Sequence, residues 1–291
     1  MRSLSCSSTT KKQYTHTVKM FTEWVSKTEG TLRIDPERYH DLIESYLSKY
    51  DNPATHHTYL SALAPAYGFK MDDFGGRKKR GIPTKGRDAE GIRNAQNERI
   101  CRFAEITGIR HHEVAVMRSS DLLERDGQTY VIVRKGKGGK YQEQLILPQH
   151  REAVKAFFTA PAGDKGYLFS KEEIKAFKGA NPHRLRRLNA WSAYEWFRDM
   201  DTAEKDIWRT KLHDRFTQNS HKKTAWDNYL TRLSKSPIYE LRGERRRYCE
   251  RTGHDYRLDR EAVMMCSVFM LSHYREQVTV DNYLLDGMLG R

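Results

Sequence analysis

The sequence is poor in cysteine, short of carboxylates relative to bases, and without a long apolar run. Its four cysteines, Cys6, Cys101, Cys249 and Cys266, are scattered and form no CxxC pair. That excludes a zinc ribbon and a disulfide framework, and reads as free thiols in a reducing cytosol. The pairs His56-His57 and His111-His112 are joined by no cysteine or carboxylate cluster, and neighbours on a helix do not face one another, so no bound metal is expected. No stretch approaches the ~20 apolar residues that cross a bilayer. Residues 1–10 are Ser-rich but lack the apolar stretch of a signal peptide. A soluble, cytoplasmic protein without membrane attachment is the expectation. There is no internal repeat and no long low-complexity tract.

What is abundant is positive charge. Lys and Arg number 52 against 38 Asp and Glu, a formal net charge of +14. An excess of that size points to a polyanionic partner, because each neutralised phosphate releases condensed counterions. Nucleic acid is favoured over an anionic membrane surface by the basic-footprint criterion. No RRM-like aromatic motif marks an RNA module. Hydrophobic residues make up 37% of 291 residues, enough for the cores of two domains.

Tyr14, Val18, Phe21 and Val25 recur at helical spacing. Pro36 opens a second helical segment with Tyr39, Leu42, Ile43, Tyr46 and Leu47 on one face, and a third runs from His57 to about Tyr67. These predict a small helical domain over residues 1–75. Residues 76–92, with Arg77, Lys78, Lys79 and Arg80 among Gly and Pro, read as a basic linker, either a solvated connection or a strap against DNA. A larger domain follows over residues 93–291. Its Ile100, Phe103, Ala104 and Ile106 predict a helix stopped by Gly108, and a second helical stretch is expected over 113–122. The runs Tyr130–Val133 and Leu145–Leu147 predict a hairpin with a basic tip at 135–140. The remainder reads as mainly helical, so the expected fold is mainly α with a small β-hairpin or sheet.

Cutting DNA without a metal or ATP needs an oxygen nucleophile, donors for the nonbridging oxygens, and an acid for the leaving 5′ oxygen. Arginine suits the second task, its fork matching two phosphate oxygens; lysine or histidine suits the third. Three segments offer such groups in order. They are Thr107-Gly108-Ile109-Arg110-His111-His112-Glu113, then Lys135-Gly136-Lys137-Gly138-Gly139-Lys140, and a C-terminal set. The set comprises Tyr239-Glu240-Leu241-Arg242, Leu271-Ser272-His273 and Thr279-Val280-Asp281-Asn282-Tyr283.

These segments resemble the signature boxes of the tyrosine recombinase (phage integrase) family: TGxRxxE, a GKGxK hairpin, HxLR, and LGHxxxxxT followed by the nucleophilic tyrosine. The resemblance covers roughly residues 95–285, and its weight comes from four boxes in order, with His273 and Tyr283 ten positions apart. It implies a catalytic domain that closes with the N-terminal domain into a C-shaped clamp round duplex DNA. Tyr283 would attack the phosphate and leave a 3′-phosphotyrosyl link. Arg110 and Arg242 would clamp the nonbridging oxygens. Lys137 would protonate the leaving oxygen, with Lys135 and Lys140 as rivals, and His273 would bond the phosphate or help deprotonate Tyr283. No cofactor is implied. Partners would be a recombination site in double-stranded DNA and further copies of the chain, as a dimer on one site and a tetramer across two, with an accessory DNA-bending protein left open. The apolar Leu284, Leu285, Met288 and Leu289 would dock on a neighbouring protomer.

Three departures stand out. Tyr239 replaces the box histidine, and a phenol titrates near pH ~10 rather than ~6.5. Ser272 replaces the box glycine. Arg242 and His273 stand 31 positions apart, longer than the family pattern. Outside the boxes, Arg245 and Arg246 and the run His183–Arg187 read as contacts to the DNA backbone. Two other functions share these features: a type IB topoisomerase-like enzyme, and a non-catalytic, sequence-specific DNA-binding protein on a recombinase scaffold. Each residue also has a plainer reading, as a helix terminus, a solvated tip, a packed tyrosine or a half-buried histidine.

Overall fold

The computed structural model describes residues 8–75, 91–136, 139–218 and 222–290. Arg77, Lys78, Lys79, Arg80 and Lys137 lie outside the described residues. The chain divides into two compact units, Met1–Ile82 and Pro83–Arg291, and it is mainly helical with small antiparallel sheets.

The first unit is built from α1 (Ser8–Glu29), α2 (Tyr39–Leu47) and α3 (Pro53–Ala66). Phe21 and Val25 sit one turn apart and are buried with Leu42, Ile43, Leu60 and Leu63, as the 3.6-residue period requires. α3 begins at Pro53, four residues before the apolar periodicity does. The Asn52 side chain accepts from the Ala54 N–H at 2.9 Å, a polar cap ahead of a proline at the first helical position.

In the second unit, α4 (Glu98–Thr107) and the four-residue α5 (His111–Val114) precede strands β1 (Leu122–Arg125), β2 (Gln128–Val133) and β3 (Gln142–Leu145). Helix was expected over 113–122. It ends at Val114, and Leu122 opens a strand instead. The cause lies just downstream. Asp126 and Gly127 both have positive φ, the two-residue turn that Asp-Gly favours, and it folds 122–125 back onto 128–131. The sheet order is β1-β2-β3. Its alternation separates two cores: Tyr130, Leu145 and Leu147 face one, and Val131, Val133 and Ile146 the other.

Helices α6 (Arg151–Thr159), α7 (Lys171–Phe177), α8 (Pro182–Arg198), α9 (Thr202–Thr217) and α10 (Lys223–Lys235) follow. A two-stranded sheet of β4 (Ile238–Glu240) and β5 (Arg257–Asp259) brackets α11 (Gly243–Thr252). The chain ends with α12 (Arg260–Met265), α13 (Glu276–Thr279) and α14 (Leu285–Met288), with π-helical turns at Cys266–Met270 and Val280–Leu284.

The C-terminal apolar face corrects an expectation. Leu284, Leu285 and Leu289 are buried in the core of their own unit. Gly287 lies so close to Trp191 that a Cβ would fall 2.2 Å from the indole. Each buried leucine contributes about 1.5–3 kcal/mol, so lifting all three onto a neighbour would cost on the order of 5–9 kcal/mol before any new contact formed. The face read as a protomer-docking surface is therefore already occupied.

Candidate active site

Arg110 follows Gly108, the left-handed C-cap of α4 at φ +64°. A side chain at 108 would be strained by that φ, and its Cβ would lie 2.5 Å from Asn189 Oδ1. The glycine thus turns the chain sharply and lets α8 approach. Arg110 is mostly buried. Its Nη1 donates to Glu113 Oε1 at 2.8 Å, and its Nη2 to the Leu271 carbonyl at 3.3 Å. Glu113, itself buried, also accepts from the Arg110 N–H at 3.1 Å and from Gln142 Nε2 at 2.9 Å. One carboxylate therefore fixes the arginine fork and ties it to β3, which leads back to the basic hairpin tip. Lys135 and Lys140 are exposed on that tip.

The Leu271 carbonyl that Arg110 holds precedes the turn carrying His273. There the His273 N–H donates to the Ser267 carbonyl at 2.9 Å, and Ser272 and Tyr274 on either side both have φ +54°. Tyr283 stands on the π-helical turn Val280–Leu284, a distortion that re-aims side chains and recurs at functional sites. It is half-buried, its hydroxyl 3.2 Å from His273 Nε2 and the two ring centroids 5.3 Å apart.

Arg110, His273 and Tyr283 thus share one cluster, whereas Tyr239 and Arg242 occupy another. With Arg245, Tyr274, Glu276 and Asp281 these two line a cleft of about 990 Å³. Arg242 is exposed at the N-cap position of α11, and among the described residues no hydrogen bond ties it to the first cluster. Burial pushes the Tyr239 phenol above its usual value, and Glu276 adds to this; Arg242, Arg245 and Arg260 work against it. At neutral pH Tyr239 is therefore a neutral donor. Arg245 pairs with Asp281, two positions before Tyr283, which connects the clusters. Arg246 is held by Glu250 at 2.8 Å and Glu240 at 3.3 Å.

Two residues at the site were not read as such from the sequence. Arg186, grouped above with a phosphate-facing run, is buried, with 1% of its surface exposed. The signal was present: stepping back from Phe197 through Ala193 and Ala190, all buried on α8, the next helical position is 186. Lys222 gave no signal, because its setting is tertiary. Its ammonium lies 3.3 Å from the centre of the Tyr274 ring. Burial, followed by Lys140 and Arg215, lowers its pKa to about 8.

A lysine of that pKa is about half neutral at pH 8, where a solvated lysine is roughly 0.4% neutral. In a pH series of amine acylation read by peptide mass spectrometry, Lys222 labelling is expected to level off just above pH 8, while solvated lysines keep climbing towards ~10.4. A Lys222 curve still rising at pH 10 would remove the perturbation. The positive φ at position 272 gives a second expectation. Ser272→Val should cost about 1–2 kcal/mol, since left-handed backbone penalises a branched Cβ. Ser272→Gly should be neutral or stabilising by up to about 1 kcal/mol, relief of strain being partly offset by a freer unfolded chain. Chemical denaturation of the three proteins checks the order.

No family model matches the sequence, and no curated protein matches it. Among solved structures, the XerH site-specific recombinase bound to difH substrate in a pre-cleavage complex matches at 18% identity and TM-score 0.41, over 65% of this chain and 69% of that one. Its post-cleavage complex with palindromic difH substrate matches at 17% and 0.39, over 65% and 69%. The XerA recombinase matches at 19% and 0.24, over 67% and 80%.

Proposed function

We propose that this chain is a site-specific DNA recombinase that cleaves and rejoins strands through a phosphotyrosyl bond at Tyr283. The observation that carries the reading is the Tyr283 hydroxyl 3.2 Å from His273 Nε2, in a cluster whose Arg110 is anchored to the carbonyl two residues before that histidine. On this reading Tyr283 is the oxygen nucleophile, His273 its proton partner and Arg110 the phosphate-binding cation. In the reaction, the phenol oxygen attacks phosphorus and the bond to the 5′ oxygen breaks. The phenol proton passes towards His273, and a second proton reaches the leaving oxygen from Lys137 or a neighbouring lysine of the hairpin. Arg110 and Arg242 neutralise the nonbridging oxygens as charge builds. Tyr239, neutral at physiological pH, supports the phosphate as a donor. One phosphodiester is exchanged for another, so the incoming 5′ hydroxyl of a second strand reverses the step and the chemistry asks for no cofactor. Closure of the two units as a clamp round DNA, assembly of dimers and tetramers on the site, and phosphate contacts by Arg77, Lys78, Lys79, Arg80, Lys135, Lys140, Arg245 and Arg246 belong to the same proposal.

The test is covalent trapping on nicked duplexes tiled from the DNA that flanks the coding region, where a recombination site is expected. Loss of the short 5′-hydroxyl fragment prevents resealing, so cleavage accumulates as a denaturant-resistant adduct whose modified peptide can be mapped. An adduct on Tyr283 at one sequence supports the reading. Tight site-specific binding with no adduct favours a non-catalytic DNA-binding protein, for which Tyr239 in the histidine's place is the supporting observation. Relaxation of supercoiled DNA with no site requirement would point to topoisomerase-like activity.

A further inference from the structure

The four boxes leave Arg186 without a role, yet it lies among them. It is carried by α8, a rigid helix packed against α4 and α12, and is almost wholly buried. Its Nη1 donates to the Gly108 carbonyl, in the turn that launches Arg110. Its Nη2 donates to the Leu271 carbonyl at 3.2 Å, the oxygen that Arg110 Nη2 also holds at 3.3 Å. Its guanidinium carbon lies 5.5 Å from the centre of the Tyr283 ring, within the range in which an aromatic face attracts a cation. The buried Nε makes no hydrogen bond with any described residue.

Those contacts join three segments far apart in sequence: the Arg110 turn, the helix end before His273, and the π-helical turn of Tyr283. They also set an unusual charge balance. Two guanidinium groups share one carbonyl, and Glu113, bonded to Arg110, acts on Arg186 only as a nearby charge. Burial, and next the nearby Arg110, push the Arg186 pKa down; Tyr283 and Glu113 oppose this. A buried, incompletely compensated cation is costly to the free protein. It is retained at low cost only where an anion arrives or negative charge develops.

Resting on the strand-cleavage reading, we propose that Arg186 is a positioning residue for that reaction, coupling the phosphate-binding turn of Arg110 to the nucleophile Tyr283 so that the two keep a fixed separation. Arg186 touches the ring and the carbonyls and takes no proton. A ridge of packing alone would be served by any side chain of the same volume. Coupling requires a fork that can bond two carbonyls at once, which an ammonium reproduces in part and a thioether does not.

The experiment compares full-length wild type, Arg186→Lys and Arg186→Met. Single-turnover adduct formation is measured at saturating nicked DNA, once with the normal 5′ oxygen and once with a 5′-bridging sulfur that leaves without protonation. Non-covalent DNA affinity and Tm are measured alongside. Arg186→Met is expected to lower the saturated rate about 100-fold, the cost of a misplacement near 1 Å, with DNA affinity within about threefold. Arg186→Lys should recover about a tenth or more of the wild-type rate, since it keeps the charge. The sulfur substrate should not restore the Met variant, because the fault lies with the nucleophile. A Met variant cleaving within threefold of wild type, or one rescued by sulfur, overturns the proposal. Hydrogen exchange supplies a readout that needs no cleavage: in Arg186→Met, residues 108–113 and 271–284 should lose protection together while β1–β3 keep theirs. If wild type formed no adduct, the cleavage reading would fail by itself. Unchanged exchange in both segments would sink the coupling whether or not DNA is cut.

Discussion

Tyr283→Phe is expected to abolish the covalent adduct while leaving fold and DNA affinity nearly intact. Only one oxygen is removed. The ring keeps its place against His273, at 5.3 Å, and beneath the Arg186 guanidinium, at 5.5 Å. The interactions lost are those of the hydroxyl with His273 Nε2 and with the Arg186 guanidinium, on a half-buried group, so stability should change by about 1 kcal/mol. The rate is another matter. Without a nucleophile no phosphotyrosyl bond can form, and loss of a nucleophile in a comparable covalent mechanism costs on the order of 10⁶-fold. Gel separation of adduct on nicked DNA, with affinity measured separately, reads both quantities. Retention of the adduct would move the nucleophile elsewhere. Tyr274, one residue from His273 and packed edge-on to Phe216 at 5.1 Å, would be the first place to look.

Much of this arrangement was legible in the sequence, and the parts that were not share a cause. Helical periods located α1, α2 and α4, because each buries one stripe and exposes the other. The motif order placed Arg110 ahead of His273 and Tyr283; Arg110 bonds the Leu271 carbonyl two residues before His273, which in turn lies beside Tyr283. Ser272 shows why a glycine belongs in that box: the backbone there is left-handed at φ +54°. β1 was missed although Asp126-Gly127 announced its turn, since the apolar residues of 113–122 also suit a helix. The short β4 and β5 carry no period, and exist because 238–240 and 257–259 pair with each other. Arg186 was misread through its composition, as one of a basic run, when its position on the buried stripe of α8 decided its place. Lys222 was invisible because its neighbours, Tyr274, Lys140 and Arg215, are remote in sequence. Local pattern reports which face of an element is buried. It does not report what lies across the interface.

Arg110→Ala should combine a large chemical loss with a large loss of stability, and a second substitution separates them. The Arg110 fork faces a carboxylate that is 1% exposed. Removing the fork leaves Glu113 with Gln142 Nε2 at 2.9 Å, a backbone N–H at 3.1 Å, and His112 Nε2 only at 3.8 Å. Stranding a buried charge in this way typically costs about 3–5 kcal/mol, mostly the penalty of the partner left behind. The Leu271 carbonyl keeps Arg186 as its donor, so it adds little. Strand cleavage should fall about 10²–10³-fold, as when one donor to a developing oxyanion is lost. If both losses come from one side chain with two jobs, Arg110→Ala/Glu113→Gln should regain most of the stability, the amide no longer needing a cation, and none of the cleavage. Arg110→Lys should hold stability better than Arg110→Ala but cleave poorly, since a point charge cannot bond Glu113, the Leu271 carbonyl and a phosphate together. Urea denaturation and single-turnover trapping of the four proteins test this. Recovery of cleavage in the double variant would mean that Arg110 serves the fold alone, and the phosphate clamp would then have to be built round Arg242.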